Sequence, residues 1–363
     1  MNRQSQNHLW PLLFVVLLAI IAIFSLKAKQ DEIDKPIFVL GWQEATPFIE
    51  PRRALAAATY NNYIYVLGGI DATNNYVRSV EYTKINANGS LNKWHKTSNL
   101  NEGRFYLAAA AVNGYLFAIG GAIGALGESN IPVATVEKAK INPDGSLGPW
   151  TLTEKLTTPR RGLTVNQYDN RIYALGGYNG IFLHSVEHAT VNDGGTLNKW
   201  QLSPQQSKID RYIHSSAIAG NHLYLLAGHM KNDRTVSYGD VEVSRVADNG
   251  ELSEWQVEST ALLTPRFIAS AFSRGNYLYI LAGHDGAKRL DSVEFAPINE
   301  NGNVGQWQLT APLNSSRSGT AVITHNNRVY VLGGINQNKV LNSVETAIQS
   351  KDGNLGGFSK TFQ

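Results

Sequence analysis

No cysteine occurs anywhere in the 363 residues. That absence removes disulfide frameworks, thiolate nucleophiles, zinc fingers and iron–sulfur ligation together, while leaving the redox compartment open. Charge of one sign is scarce too. The 32 Lys and Arg against 29 Asp and Glu leave +3, too small and too dispersed a charge for a nucleic-acid binder. No Ser-His-Asp elbow, Walker loop or dinucleotide fingerprint stands in the strand-to-helix setting that its chemistry requires. Charged residues make up only 17% of the chain and hydrophobic ones 43%, a balance that supports a folded core rather than a disordered chain.

One long apolar run is present, at the front. From Leu9 to Leu26, eighteen residues are almost unbroken in apolar character, about 27 Å if helical and just long enough to span a bilayer. Residues 1–26 are therefore read as an N-terminal membrane anchor, 27–36 as a linker and 37–363 as the folded body. A cleaved signal segment is the competing reading, though Ser25, Leu26, Lys27 and Ala28 form a poor small-x-small site. Arg3 on one side and Lys27 and Lys29 on the other nearly balance the positive-inside count. The expectation is a single-pass membrane protein with its body on the exported side, periplasmic or extracellular.

The body repeats. Small doublets close an apolar run at Gly68-Gly69, Gly120-Gly121, Gly176-Gly177, Ala227-Gly228, Ala282-Gly283 and Gly333-Gly334, at spacings of 52, 56, 51, 55 and 51, which signal a repeat architecture. The run before each doublet alternates as a strand does, with an aromatic four residues before the second small residue. A second strand carries Glu81, Glu137, Glu187, Glu242, Glu294 and Glu345, and thirteen residues after each Glu stands Trp94, Trp150, Trp200, Trp255, Trp307 or Phe358. Gly precedes each aromatic by five residues, after Asn88, Asp144, Gly194, Asn249, Asn301 or Asp352, and this predicts a tight hairpin of type I′. Ten or eleven residues after an aromatic comes Arg104, Arg160, Arg211, Arg266 or Arg317, and Arg52 follows Trp42 in the same way.

Each unit thus holds four strands, a to d: one after the Arg, one ending at the doublet, one carrying the Glu and one opening with the aromatic. Six such units set radially make a six-bladed propeller. Two segments compete for the outer strand that closes the ring, one around Trp42 and one around Phe358.

The doublet closing strand b and the tryptophan on strand d resemble the kelch repeat, over nearly all of the chain after the anchor. The resemblance implies an all-β fold, a six-bladed kelch-type β-propeller of four-stranded blades. The tyrosine of such repeats on strand c is present only as Tyr82; Lys138, His188, Val243, Phe295 and Thr346 replace it elsewhere. Kelch-like propellers include bacterial sialic acid mutarotases, exported proteins that use Arg and Glu at the central mouth, which supplies the alternative of a carbohydrate-active enzyme. They also include galactose oxidase, whose Tyr-Cys thioether a chain without Cys cannot form.

Strand order puts each Arg, doublet and Glu at one rim. With strands ~4.8 Å apart, an extended Arg reaches the Glu of strand c across the doublet, and the expectation is a structural Arg–Glu pair in every blade. The recurring Trp residues are read as blade-to-blade core. Length varies mainly between doublet and Glu, with intervals of 12, 16, 10, 14, 11 and 11, so insertions collect in the b–c loops, which share a face with the d–a loops. Such a face usually binds.

The candidate ligand-binding residues on that face are Arg53, Arg161, Tyr178, Tyr212, His229, Lys231, Arg234, Phe267, His284, Lys288 and Arg289. Mixed basic and aromatic groups suit an acidic ligand, either a protein segment or an acidic glycan. His229 and His284 could pair on a metal but lack a third ligand, so neither metal nor cofactor is expected. The reading is a membrane-tethered or exported monomeric propeller that binds a protein or glycan without chemistry.

Overall fold

The computed structural model describes residues 37–127, 130–229 and 238–359. The expected anchor and linker, residues 1–36, lie outside them, as do Lys231 and Arg234. Among the described residues no helix is long and apolar enough to cross a membrane.

Every strand-b segment named by its doublet is a five-residue strand: Tyr63–Leu67, Tyr115–Ile119, Arg171–Leu175, His222–Leu226, Tyr277–Leu281 and Arg328–Leu332. Four consecutive residues of each are buried, because a strand in mid-blade is covered on both faces and reads as a continuous apolar run. In blade 1 strand b lies between strand a, Ala56–Tyr60, and strand c, Val80–Lys84; the outer strand d is only His95–Thr97. Blades 2 to 5 repeat this antiparallel meander. Each strand a packs on the strand a of the next blade, and the sixth returns to the first, so the ring is closed.

Both candidate closing segments join blade 6. Gln43–Ala45, directly after Trp42, takes the strand-d place against Val344–Gln349, while Leu355–Ser359 pairs with the far end of that same strand and with Ile37–Leu40, giving six strands. Trp42 Nε1 donates to Ala311 O at 2.9 Å, as Trp94 does to Thr46 O at 2.8 Å and Trp150 to Ser98 O at 2.8 Å. The N-terminal segment therefore takes the strand-d place because its Trp makes the same indole bond to the preceding blade as the strand-d Trp of blades 1 and 2.

Five of the six c–d hairpins differ from expectation; only in blade 3 do two successive residues, Gly194 and Gly195, take positive φ, at 80° and 70°. A type I′ turn needs positive φ at two successive residues, but in blade 1 Gly89 has φ 81° while Asn88 is absent from the left-handed residues. Asn86 N–H donates to Ser90 O at 2.9 Å and Gly89 N–H to Asn86 O at 2.8 Å, so the loop has three residues and ends on a left-handed glycine. Asn88 is there for its side chain, whose Oδ1 accepts from Ser90 N–H at 3.0 Å.

These turns also latch the blades together. The strand-b tyrosine hydroxyl donates to the turn-glycine carbonyl of the next blade: Tyr65 to Gly145, Tyr173 to Gly250, Tyr224 to Gly302, Tyr279 to Gly353 and Tyr330 to Gly89, at 2.6–2.8 Å. Blade 2 has Phe117 there, and Lys138 Nζ reaches Gly195 O instead at 2.8 Å. Tyr224→Phe should leave the Gly302 carbonyl without its buried donor and cost about 1–3 kcal/mol. Chemical denaturation measures this, and an unaltered midpoint would show that the latch carries no stability.

Candidate functional site

The recurring charges are consumed by the scaffold. Arg52–Glu81 lie 2.7 Å apart, Arg160–Glu187 2.5 Å and Arg211–Glu242 2.9 Å, and Arg104–Glu137, Arg266–Glu294 and Arg317–Glu345 pair likewise; no partner is more than 2% exposed. Each Arg also donates to the carbonyl of the first doublet residue, at 2.7–3.3 Å. Each Glu accepts a backbone N–H from the preceding d–a loop, as Glu187 does from Thr157 at 2.6 Å and Thr158 at 3.1 Å. Burial lowers the pKa of every one of these guanidinium groups, and the partner carboxylate works against that shift. The six sets are nearly alike, which fits structure better than a task needed once.

Two residues beyond each Arg, the chain turns into the mouth of the central channel. Ala54, Tyr106, Gly162, Ile213, Ile268 and Gly319 all take left-handed φ, between 48° and 65°. The conformation is free for glycine but strained for a β-branched isoleucine, by roughly 1–3 kcal/mol. Backbone bonds run from blade to blade around this rim: Ala54 N–H to Gly319 O, Tyr106 to Ala54, Gly162 to Tyr106, Ile268 to Ile213 and Gly319 to Ile268, at 2.8–3.1 Å. The sixth junction, between Ile213 and Gly162, has no such bond among the described residues. There the Tyr212 ring lies so close to Gly162 that a Cβ would meet it at 2.5 Å. Below the rim the channel encloses about 200 Å³ between small residues such as Ala57, Ala109, Ser216 and Ala271. That is less than the roughly 300–1,000 Å³ of ordinary ligand pockets, so a sizeable ligand has to be held at the mouth.

At the open junction the face departs furthest from six-fold repetition. Arg161 lies over Tyr178 at 5.2 Å and Tyr212 at 5.5 Å, and the two rings are 5.3 Å apart. Phe182 packs on both, at 5.7 and 6.2 Å, and Tyr106 reaches Tyr212 at 6.3 Å. Tyr76, from the b–c loop of blade 1, lies 4.6 Å from Phe105. Burial raises the phenol pKa of Tyr76 and of Tyr106, with Arg53 and Arg161 pulling both the other way; burial raises that of Tyr212 as well. These phenols are therefore hydroxyl donors at neutral pH. Among the described residues Tyr76 Oη and Arg161 Nε are buried atoms without a hydrogen-bond partner.

The arginines of the mouth contrast with those of the scaffold. Among the described residues Arg53, Arg161 and Arg289 form no ion pair; their polar partners are Asn74 Oδ1 at 3.2 Å, Asn130 Oδ1 and Ser318 Oγ at 3.2 Å. Burial and the charge of Arg53 both lower the pKa of Arg289. Among the described residues, these three cations of the loop face are thus left without an ion-paired counter-charge, and their positive potential is not neutralised within the propeller.

The other sequence candidates are placed less favourably. His229 and Phe267 are buried, and His229 and His284 both pack on the Phe267 ring, at 4.7 and 5.3 Å, rather than on each other. Among the described residues no group of three His, Asp or Glu could hold a metal. Lys288 is exposed. Sequence reasoning missed Tyr76, Phe105, Tyr106, Asn130 and Phe182. Phe105 and Tyr106 follow Arg104 as Tyr212 follows Arg211 and were open to the same reasoning, whereas Tyr76, Asn130 and Phe182 sit in b–c loops with no repeat register to mark them.

The family described as Kelch motif matches residues 51–82, 159–188 and 316–345. Beta-scruin of Limulus polyphemus is 23% identical over 263 residues, 69% of this chain and 26% of that protein. Kelch-like protein 25 of Xenopus tropicalis is 21% identical over 258 residues, 70% of this chain and 40% of that protein. The chain thus spans a quarter to two fifths of the length of these relatives. The solved structure titled "Structure of YjhT" superposes with a TM-score of 0.66 at 14% identity, covering 87% of this chain and 99% of that one; this likeness is one of fold.

Proposed function

Since the chain is a kelch-repeat six-bladed β-propeller, we propose that it is a binding module, gripping an acidic ligand at the loop-face mouth around which blades 1, 3 and 5 set Arg53, Arg161 and Arg289. One observation carries this reading: Arg53, Arg161 and Arg289 face the mouth without carboxylates, while the six repeated arginines each have one. Guanidinium and phenol donors together match the acceptors of a carboxylate or other oxyanion. Residues 9–26 tether the propeller to a membrane on the exported side in this reading.

The same donors suit the carboxylate and ring hydroxyls of an acidic sugar, which keeps an enzyme of the sialic acid mutarotase type as the second reading. Against proton transfer stand the raised phenols and the engagement of all six repeated Glu in pairs. Anomer exchange of N-acetylneuraminic acid, followed by NMR, separates the two: turnover would reject the pure binding role.

Binding of a fluorescent oligoglutamate should weaken about tenfold on Arg161→Gln and fall further with added salt. Equal affinity of the two proteins, measured by anisotropy, would remove Arg161 from the site.

A further inference from the structure

The large apolar side chains exposed on b–c loops are confined, among the described residues, to Leu126 and Ile131 in blade 2 and Ile181 in blade 3, at 43, 59 and 67% exposure. Both loops touch the Arg161 cluster. Asn130, next to Ile131, accepts from Arg161, and Phe182, next to Ile181, packs on Tyr178 and Tyr212. The loops hold these side chains out by backbone pairing: Ile131 pairs with Ile123, and Phe182 bridges to Tyr178. Aliphatic groups therefore flank a cationic, aromatic centre, and among the described residues Ile213 N–H finds no carbonyl at the same junction.

The hydroxyl-covered surface of a sugar would be desolvated against such aliphatics without return. A polypeptide carries acidic and apolar side chains a few ångströms apart, and an Arg–Tyr centre beside apolar contacts is the usual composition of a protein-binding hot spot. We infer that the partner is a protein segment in which an acidic side chain, bound by Arg161, is flanked by apolar side chains that cover Ile131 and Ile181. The inference rests on the acid-binding reading of the mouth and adds the class of the ligand.

The test uses the full chain and two labelled peptides, one with the core Leu-Glu-Glu-Leu and one with Ser-Glu-Glu-Ser. The leucine peptide should bind about tenfold more tightly. Ile131→Ser with Ile181→Ser should abolish that advantage, leave the serine peptide unaffected and, both sites being exposed, leave the melting temperature unchanged. Equal affinity for the two peptides, an advantage that survives the double substitution, or no binding of either peptide overturns the inference. The acid-binding reading is judged apart from it: it stands if Arg161→Gln weakens oligoglutamate binding without lowering the melting temperature, and fails if that affinity is unmoved.

Discussion

Glu187→Gln should lower the melting temperature by on the order of 5–15 °C, the equivalent of about 3–5 kcal/mol. Arg160 is fully buried, and its guanidinium is held by Glu187 at 2.5 Å, Gly176 O at 2.7 Å and Ser185 O at 3.0 Å. Glutamine retains the shape and one acceptor for the amides of Thr157 and Thr158, but it removes the carboxylate that pairs with Arg160. A buried cation without a counter-charge is the expensive half of a broken pair. The exposed pair Lys208–Glu254, 3.0 Å apart with side chains 41% and 68% exposed, provides the contrast. Glu254→Gln should hardly shift the transition, since solvent already screens that pair. Calorimetry on both variants settles the point, and an unmoved transition for Glu187→Gln would show that the repeated pairs do not hold the blades.

His214→Leu should make the protein more resistant to acid. Burial, followed by the charges of Arg211 and Arg160, takes the imidazole down to about 3. The unfolded chain takes up the proton below about pH 6.5, whereas the folded protein refuses it until near pH 3. The stability contributed by a neutral His214 is thus complete above pH 6.5 and is lost as the pH falls through that window, at roughly 1.4 kcal/mol per pH unit. Leucine is the residue at the same rim position in blades 1 to 3, as Leu55, Leu107 and Leu163. Leu107 lies against Gly68 as His214 lies against Gly176, at 2.6 and 2.7 Å from where a glycine Cβ would stand.

The variant should therefore fit, lose the 3.0 Å contact with Thr164 Oγ1 at a cost of about 1 kcal/mol near pH 8, and, spared the roughly 2–3 kcal/mol that the natural protein loses by pH 4.5, be about 1–2 kcal/mol the more stable of the two there. Urea midpoints across pH measure the difference. Parallel losses in the two proteins would assign the acid limb to other groups, such as His188, His222, His284 and His325, whose pKa values burial also lowers.

Much of the scaffold can be read along the chain because a repeat states its rules six times. The doublets locate strand b, the constant thirteen-residue step from Glu to aromatic locates strand d, and the shared rim of Arg and Glu follows from strand order alone. The hairpin type was not legible in the same way. Asn-Gly is compatible with either loop geometry, and the choice rests on the Asn88 side chain accepting from Ser90 N–H. The strand-b aromatics were visible as a pattern, but their work as latches on the next blade depends on how the blades are splayed.

The mouth was only half visible. Arg53, Arg161, Tyr178, Tyr212 and Arg289 stand out as departures from the repeat, yet so do His229 and Phe267, which the fold buries. Period, strand order and the means of ring closure are encoded locally, in residues that meet neighbours a fixed distance along the chain. Which side chains converge on Arg161, and which arginines form no ion pair among the described residues, emerges only when the blades are brought around one axis, since Tyr76, Tyr106, Arg161 and Tyr212 come from four separate units and Arg289 from a fifth, whose contacts no spacing in the chain specifies.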